Sequence, residues 1–279
     1  MAVKIALCQM MVDEYKEKSL FTAESMIREA ATQGARIVVL PEMFCCPYKN
    51  VCFPIYAEPG DGPVEQRLAA LAKELGIYLF GGTIPESDGG KLYNTCFVYG
   101  PDGSLLGRNR KVHLFDVNIE GGVRFMESEV LTPGNEMTIV ETEFGKIGVA
   151  VCFDLRFAEW FRLMALEGVK MVVVPAAFNT VTGPAHWELT LRARALDNQI
   201  FMAACAPARD MSKDSYHSYG HSIVTGPWGD VLAQGDEKQG ILYHEIDFDE
   251  VEKIRRQLPI LSARRTDLYT ISLNSKQAE

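Results

Sequence analysis

Val3-Lys4-Ile5-Ala6-Leu7-Cys8-Gln9 and Gly145-Lys146-Ile147-Gly148-Val149-Ala150-Val151-Cys152 are distant in the chain yet read as two copies of one element. Each is a short apolar run of the kind that forms a buried strand. A helix-length segment follows each, at about residues 18–34 in the first copy and about 157–168 in the second. The next pair is Gly34-Ala35-Arg36-Ile37-Val38-Val39-Leu40-Pro41-Glu42 and Gly168-Val169-Lys170-Met171-Val172-Val173-Val174-Pro175-Ala176. Both are β-branched, and both end at a proline, which has no N–H to give a central ladder. A second helix then precedes Gly76–Gly82 in one half and Asn198–Ala204 in the other. Hairpins close the series, with turns at Gly100-Pro101-Asp102-Gly103 and Gly226-Pro227-Trp228-Gly229, where proline and glycine suit tight turns.

Recurrence of these elements in the same order makes each half β-α-β-α-β plus a hairpin, an α/β unit with a mixed sheet. The predicted fold is α/β, a four-layer α-β-β-α sandwich built from two duplicated mixed-sheet halves. Strands buried on both faces account for the continuous apolar runs. Residues 1–279 are expected to form one domain, with a core at about 3–246. Between the halves, Glu129 to Gly145 reads as a turn at Pro133-Gly134 and a strand at about 137–142, not as a flexible linker. The polar tail, about 250–279, is expected to leave the core and touch a partner subunit or a neighbouring surface.

Composition narrows the function. With 47% hydrophobic and 23% charged residues, the chain can bury a full core and has no disorder signature. A net charge of −9 argues against a nucleic-acid partner or an anionic membrane surface. Met1-Ala2-Val3-Lys4-Ile5 enters a strand-like segment directly, without a basic stretch leading into an apolar one. No run approaches the ~18 apolar residues of a membrane span. A cytoplasmic location is expected. The seven cysteines, at 8, 45, 46, 52, 96, 152 and 205, are odd in number and scattered, which fits a reducing compartment better than a disulfide framework. Cys45, Cys46 and Cys52 lack zinc-ligand spacing and read as loop packing.

Cys152 ends a buried strand, and the chain changes abruptly to Phe153-Asp154-Leu155-Arg156-Phe157 before a helix. Strand, tight turn and helix together expose a nucleophile at the carboxyl edge of a sheet. The helix start offers N–H groups that lower a thiol pKa and hold an oxyanion. The alternative is a small buried hydrophobe. Cys8, at the matching strand end, is followed by Gln9-Met10-Met11 with no such turn, and reads as structural. Glu42 also lies just past a buried strand, and the second copy has Ala176 in its place. A carboxylate there is either solvated, paired or raised in pKa, and the last suits a general base. Lys111 closes the second strand of the first hairpin in Arg108-Asn109-Arg110-Lys111-Val112-His113, where it reads locally as part of a solvated basic face and spacing does not single it out from Arg108 or Arg110. Glu127 has an equally weak local signal.

Together these residues resemble the nitrilase, or carbon–nitrogen hydrolase, superfamily over about residues 3–246 and part of the tail. Its catalytic Glu–Lys–Cys falls on Leu40-Pro41-Glu42, Arg110-Lys111-Val112-His113-Leu114-Phe115-Asp116 and Val151-Cys152-Phe153-Asp154-Leu155-Arg156-Phe157. The resemblance implies a four-layer αββα fold and a linear-amide hydrolase that needs no cofactor or metal. It makes Cys152 the nucleophile and Glu42 the base. Lys111 and the Phe153 N–H become the oxyanion donors, and Glu127 the group that positions Lys111 and the substrate amide. The family forms dimers and larger assemblies, so a homodimer is expected. The string Ala177 to Leu189, with Arg192, Arg194, Asp197-Asn198-Gln199 and Ala206-Pro207-Ala208-Arg209-Asp210, resembles the ω-amidases within that superfamily. Their implied substrates are α-ketoglutaramate and α-ketosuccinamate, hydrolysed to the keto-acid and ammonia. Deaminated-glutathione amidases share much of the pattern, and a true nitrilase is the nearest enzymatic alternative.

A substrate carboxylate needs a cation, and Arg156 is the candidate because its fork grips carboxylates bidentately. The alternative is a salt bridge from Arg156 to Asp154 or Glu159. Tyr48 and Phe178 are candidate pocket walls. Rival readings are a Cys–His hydrolase using His113, His186 or His221, metal binding by His186-Trp187-Glu188 or His217 and His221, and a non-catalytic partner-binding protein.

Overall fold

The computed structural model describes residues 2–118, 120, 124–212 and 216–274. In chain order the elements are β1 (Ala2–Gln9), α1 (Lys16–Thr32), β2 (Ile37–Val39), α2 (Phe53–Tyr56), α3 (Pro63–Leu75), β3 (Tyr78–Phe80), β4 (Ile84–Asp88), β5 (Lys91–Tyr99), β6 (Leu105–Arg110), β7 (Asp116–Asn118) and β8 (Arg124–Met126). The second half continues with β9 (Thr138–Thr142), β10 (Gly145–Val149), α4 (Ala158–Leu166), β11 (Met171–Pro175), α5 (Gly183–Asn198), β12 (Phe201–Cys205), β13 (Ile223–Thr225), β14 (Val231–Gln234), β15 (Gly240–Asp247) and α6 (Asp249–Gln257).

Side-chain alternation sorts the apolar residues into layers. On β1, Val3, Ile5 and Leu7 face one cluster, whereas Ala6 and Cys8 face another. The first cluster also takes Ile147 and Val149 of β10 and Met171 and Val173 of β11, so it is the seam between two sheets. The second joins β1 and β2 to Leu20, Ala23 and Ile27 of α1 and Leu68 and Leu71 of α3. A third packs Val172 and Val174 of β11 against Phe161 and Met164 of α4 and Trp187 and Leu191 of α5. Three apolar seams separate four layers, helix, sheet, sheet and helix, as the repeat predicts.

The first sheet runs β15-β1-β2-β3-β5, with β4 and β6 also on β5; the second runs β14-β13-β12-β11-β10-β9. In each, three strands are parallel and the flanks antiparallel. The antiparallel strand beside β1 is β15, from the far end of the chain, paired from Ala2↔Asp247 to Gln9↔Gly240. Its counterpart beside β10 is β9. The strand that follows each half thus completes the sheet of the other.

Register corrects one detail of the repeat. Val149 pairs with Val173 and Leu7 with Val39, and the two prolines then match, so Cys152 corresponds to Met10 and not to Cys8. A slip of two residues keeps every side chain on its own face, so hydrophobic pattern alone does not detect it. Cys8 is buried all the same, and burial pushes its thiol well up. A second difference is β4, which forms an extra hairpin with β5 around Gly89 and Gly90, both in the left-handed region. The third is the tail. Residues 249–257 form α6, whose Val251, with Phe248 before it, closes the seam between the sheets. Arg255 of α6 donates to Val169 O at 3.0 Å, and Leu261 beyond it packs on the outer helix seam. The start of the tail therefore caps the core it was expected to leave, because Phe248 and Val251 are apolar points in a polar stretch. Its last residues, 275–279, lie outside the described residues. Among the described residues no helix is long and apolar enough to cross a membrane.

Candidate active site

Glu42 follows β2, Lys111 follows β6, and Cys152 follows β10, so three strand ends deliver the predicted triad to one place. The backbone at two of these ends is held in an uncommon conformation. Cys152 has φ 44° and Met43, next to Glu42, has φ 51°. Non-glycine residues rarely adopt these angles unless their surroundings enforce them.

At Cys152 the enforcing group is Asp154, which is fully buried. Its carboxylate accepts the Val151 N–H at 2.8 Å and the His113 N–H at 2.9 Å, and lies 2.7 Å from His113 Nδ1. One carboxylate therefore ties the turn at Cys152 to the loop that carries Lys111. The His113 ring stacks on Phe157 at 3.7 Å. Arg194 of α5 holds the far side of the turn by donating to Leu155 O and Arg156 O at 2.9 and 3.2 Å.

At Glu42, Thr83 takes the Met43 N–H on its hydroxyl at 2.8 Å and the Phe44 N–H on its carbonyl at 3.3 Å. The chain reaches Thr83 through Gly82 at φ 60°, where an added Cβ would sit 2.3 Å from Pro41 O. Gly82→Ala is expected to destabilise the fold by about 2 kcal/mol or more and to displace Glu42. Chemical denaturation, together with turnover of the surviving folded enzyme, checks both.

The side chains meet in a dry cluster. Glu42, Lys111 and Glu127 are all fully buried. Lys111 Nζ donates to Glu42 Oε1 at 2.9 Å and to Glu127 Oε1 at 3.1 Å, and lies 3.0 Å from Glu127 Oε2. Asn94 Nδ2 donates to Glu42 Oε1 at 2.8 Å, and the Phe115 N–H donates to Glu127 Oε2 at 2.6 Å. Tyr48, expected only as a pocket wall, belongs to this cluster: its hydroxyl donates to Glu127 Oε1 at 2.6 Å and lies 3.3 Å from Glu42 Oε1. The second Glu42 oxygen, Oε2, has no hydrogen-bond partner among the described residues. The Ala177 N–H donates to Cys152 Sγ at 3.5 Å. Among the described residues no carbonyl accepts the Phe153 N–H, which lies one residue past the sulfur.

Electrostatics follow from two carboxylates around one ammonium. Burial works against the Lys111 charge, but Glu127 and Glu42 outweigh it and hold the amine protonated. Burial raises the Glu42 pKa, Lys111 opposes that, and Glu127 adds to it. The Cys152 thiol is pushed well up by burial and then by Glu42, against the pull of Lys111 and the Ala177 N–H. This reverses the expectation of a thiol acidified by a helix start. The residues after Cys152 form a short 3₁₀ turn, Cys152–Arg156, and α4 begins only at Ala158. The dry site and the nearby carboxylate dominate. Both favour the thiol of Cys152 over its thiolate.

Comparison with known proteins places the chain in a family. Residues 4–256 match the family model described as carbon-nitrogen hydrolase. The chain belongs to the carbon–nitrogen hydrolase family. The hydrolase is 50% identical to omega-amidase NIT2 of Mus musculus over 268 residues, 96% of this chain and 97% of that protein. To the Xenopus tropicalis omega-amidase NIT2 it is 49% identical with the same coverage. Among solved structures, Saccharomyces cerevisiae Nit3, a member of branch 10 of the nitrilase superfamily, superposes with a TM-score of 0.87 at 40% identity, covering 95% of this chain and 97% of that one. A mutant of the amidase from Nesterenkonia sp. AN1, solved in complex with butyramide, gives 0.78 at 25% identity, covering 95% of each chain.

Two hollows flank the hydrolase's cluster. A narrow hollow is lined by Cys152, Phe153, Arg156 and Phe178, among others. A wider cleft of about 930 Å³, counting its open mouth, reaches Glu42, Met43 and Tyr48. Arg156 forms neither of the expected salt bridges. Its guanidinium lies 5.7 Å from the Phe153 ring and 5.3 Å from the Phe178 ring, and donates at 3.3 Å to His186 Nδ1. No carboxylate among the described residues pairs with it. Neither His113, bound to Asp154, nor His186, bound to Arg156, nor His221, 2.8 Å from Tyr219 O, hydrogen-bonds the Cys152 sulfur. Among the described residues no group of three or more His, Cys, Asp or Glu side chains is arranged to hold a metal ion. Sequence reasoning missed Asn94 and Tyr216 altogether, quoted Ala177 only within the ω-amidase string, and saw Asp154 only as a salt-bridge partner. Their roles come from contacts between distant segments and leave no local periodicity or motif.

Proposed function

We propose that the hydrolase is an ω-amidase that releases ammonia from small dicarboxylate monoamides such as α-ketoglutaramate and α-ketosuccinamate through a Cys152 thioester. The observation that carries this reading is that Cys152 and an Arg156 free of carboxylate partners line one small cavity. The Glu42–Lys111–Glu127 cluster acts on the same sulfur. Near 50% identity to omega-amidases across almost the whole chain supports the substrate class.

Glu42 takes the Cys152 proton as sulfur attacks the amide carbon. The oxygen becomes an oxyanion, held by Lys111 Nζ and the Phe153 N–H, a contribution on the order of 3 kcal/mol per donor. The protonated Glu42 then gives its proton to nitrogen, the C–N bond breaks, and ammonia leaves. Glu42 next takes a proton from water, whose oxygen attacks the thioester through a second oxyanion. Collapse returns the thiol and frees the acid. Glu127 and Tyr48 keep Lys111 charged and aimed throughout.

Arg156 is assigned to the substrate's remote carboxylate. Arg156→Ala is expected to raise KM for 2-oxo-dicarboxylate monoamides by on the order of 10²-fold, with a far smaller effect on butyramide. Ammonia release measured on both substrates tests this. Equal losses on charged and uncharged amides would remove the carboxylate role. A wild-type preference for a nitrile over its matched amide would replace the amidase reading with a nitrilase.

A further inference from the structure

We infer that Tyr216 is the wall that sets the longest acyl chain the enzyme accepts, an inference that rests on Cys152 as nucleophile and Arg156 as carboxylate anchor. The two hollows beside the cluster differ in what they reach. The smaller holds Cys152 and Arg156 and is the place for the acyl part; the larger ends on Glu42, the group that passes protons to the leaving nitrogen and from water. Among the described residues only Ala177 and Tyr216 border both.

Ala177 contributes a fixed backbone, with its N–H on Cys152 Sγ and its carbonyl accepting the Tyr216 hydroxyl. Its side chain is a methyl group, so the partition itself is the Tyr216 ring. That ring is braced from behind. It lies over the Tyr48 ring with centroids 4.8 Å apart and planes 31° from parallel, and meets Phe125 edge-on at 6.5 Å. Tyr48 is in turn anchored on Glu127. A chain held by Arg156 at one end and Cys152 at the other shares a narrow hollow with the Tyr216 ring, and each methylene beyond the fit presses on that braced aromatic stack. Removing the ring would join this space to the wider cleft. The wall therefore selects short ω-monoamides and excludes longer ones.

The test is a series of straight-chain dicarboxylate monoamides of increasing length, assayed by ammonia release with wild type, Tyr216→Ala, Tyr216→Leu and Tyr216→Phe. In the wild type, kcat/KM is expected to fall on the order of tenfold or more per methylene past the limit. Tyr216→Ala should flatten that fall, Tyr216→Leu should shift it partway, and Tyr216→Phe, which keeps the ring, should leave the ranking as it is. The inference is overturned if folded Tyr216→Ala and Tyr216→Leu rank the chain lengths as the wild type does. It is also overturned if Tyr216→Phe shifts the ranking as much as Tyr216→Ala, which would assign the effect to the hydroxyl. A second arm does not depend on turnover. ω-Iodoalkanoates of increasing length alkylate Cys152, followed by the mass of its peptide, and should show the same length limit and its loss in Tyr216→Ala. If no amide releases ammonia, the amidase reading fails, while the alkylation series still decides the wall.

Discussion

Cys152→Ala is expected to lower kcat by on the order of 10⁵-fold or more, to the level of the uncatalysed background, in a protein that folds normally. The alanine accepts the same φ of 44° at about the same cost as cysteine, so the turn held by Asp154 should persist. The interactions lost include the Ala177 N–H to sulfur, worth about 1 kcal/mol, and the contact between the thiol and Glu42. Thermal unfolding should therefore shift by a few degrees at most. The hydrogen bonds from Lys111 to Glu42 and Glu127 do not run through the sulfur and should survive. Ammonia release above background in this variant would remove Cys152 from the reaction, whatever its burial.

Glu42→Gln carries the second large effect, a loss on the order of 10²–10⁴-fold in kcat. The amide is close in shape to the carboxylate but cannot accept the thiol proton. Because burial is the main cause that holds the thiol protonated and persists in the variant, no spontaneous thiolate is expected to replace the missing base. The pH profile adds a signature that simple misfolding lacks. In the wild type, kcat/KM should fall as the pH drops through the Glu42 pKa, which burial places above the ordinary carboxylate range. That acid limb should vanish in Glu42→Gln. A variant that retains a tenth of wild-type activity with its acid limb in place would move the base to another residue. Glu127 separates positioning from chemistry in the same cluster. Without its charge, Lys111 keeps Glu42 as its carboxylate partner but loses the group that aims it, and breaking one arm of a buried ion pair costs about 3–5 kcal/mol.

The layers were legible because both faces of the central strands are buried, which writes continuous apolar runs into the sequence twice over. Glu42 and Cys152 were legible for a related reason: each breaks such a run at a sheet edge. Lys111 was not, and the structure shows why. Arg108 and Arg110 lie on one face of β6 and pair with Glu86 at 3.2 and 2.8 Å, whereas Lys111, of opposite parity, turns the other way into the cluster. Which parity faces the site depends on the pairing of β6 with β5, a tertiary fact. Asn94 is set by the same register, through Lys111 N–H to Asn94 O at 2.8 Å. The misplaced match of Cys8 to Cys152 shows the limit from the other side, since alternation fixes which face a residue takes but not its height along the strand. Asp154 and Tyr216 act across long sequence separations, on His113 and on Tyr48, and no neighbour in the chain announces either contact.

The pairing of Ala2 with Asp247 has a consequence for synthesis of the protein. As the chain leaves the ribosome, β1 and its parallel neighbour β2 are made long before β15, which covers the other edge of β1. Until then one rim of the first sheet has unpaired N–H and C=O groups, a template for strands of other nascent chains. Closing a loop of this length comes late and slowly. The first half therefore waits for the second, and a polypeptide cut short before residue 240 would be left with that rim open.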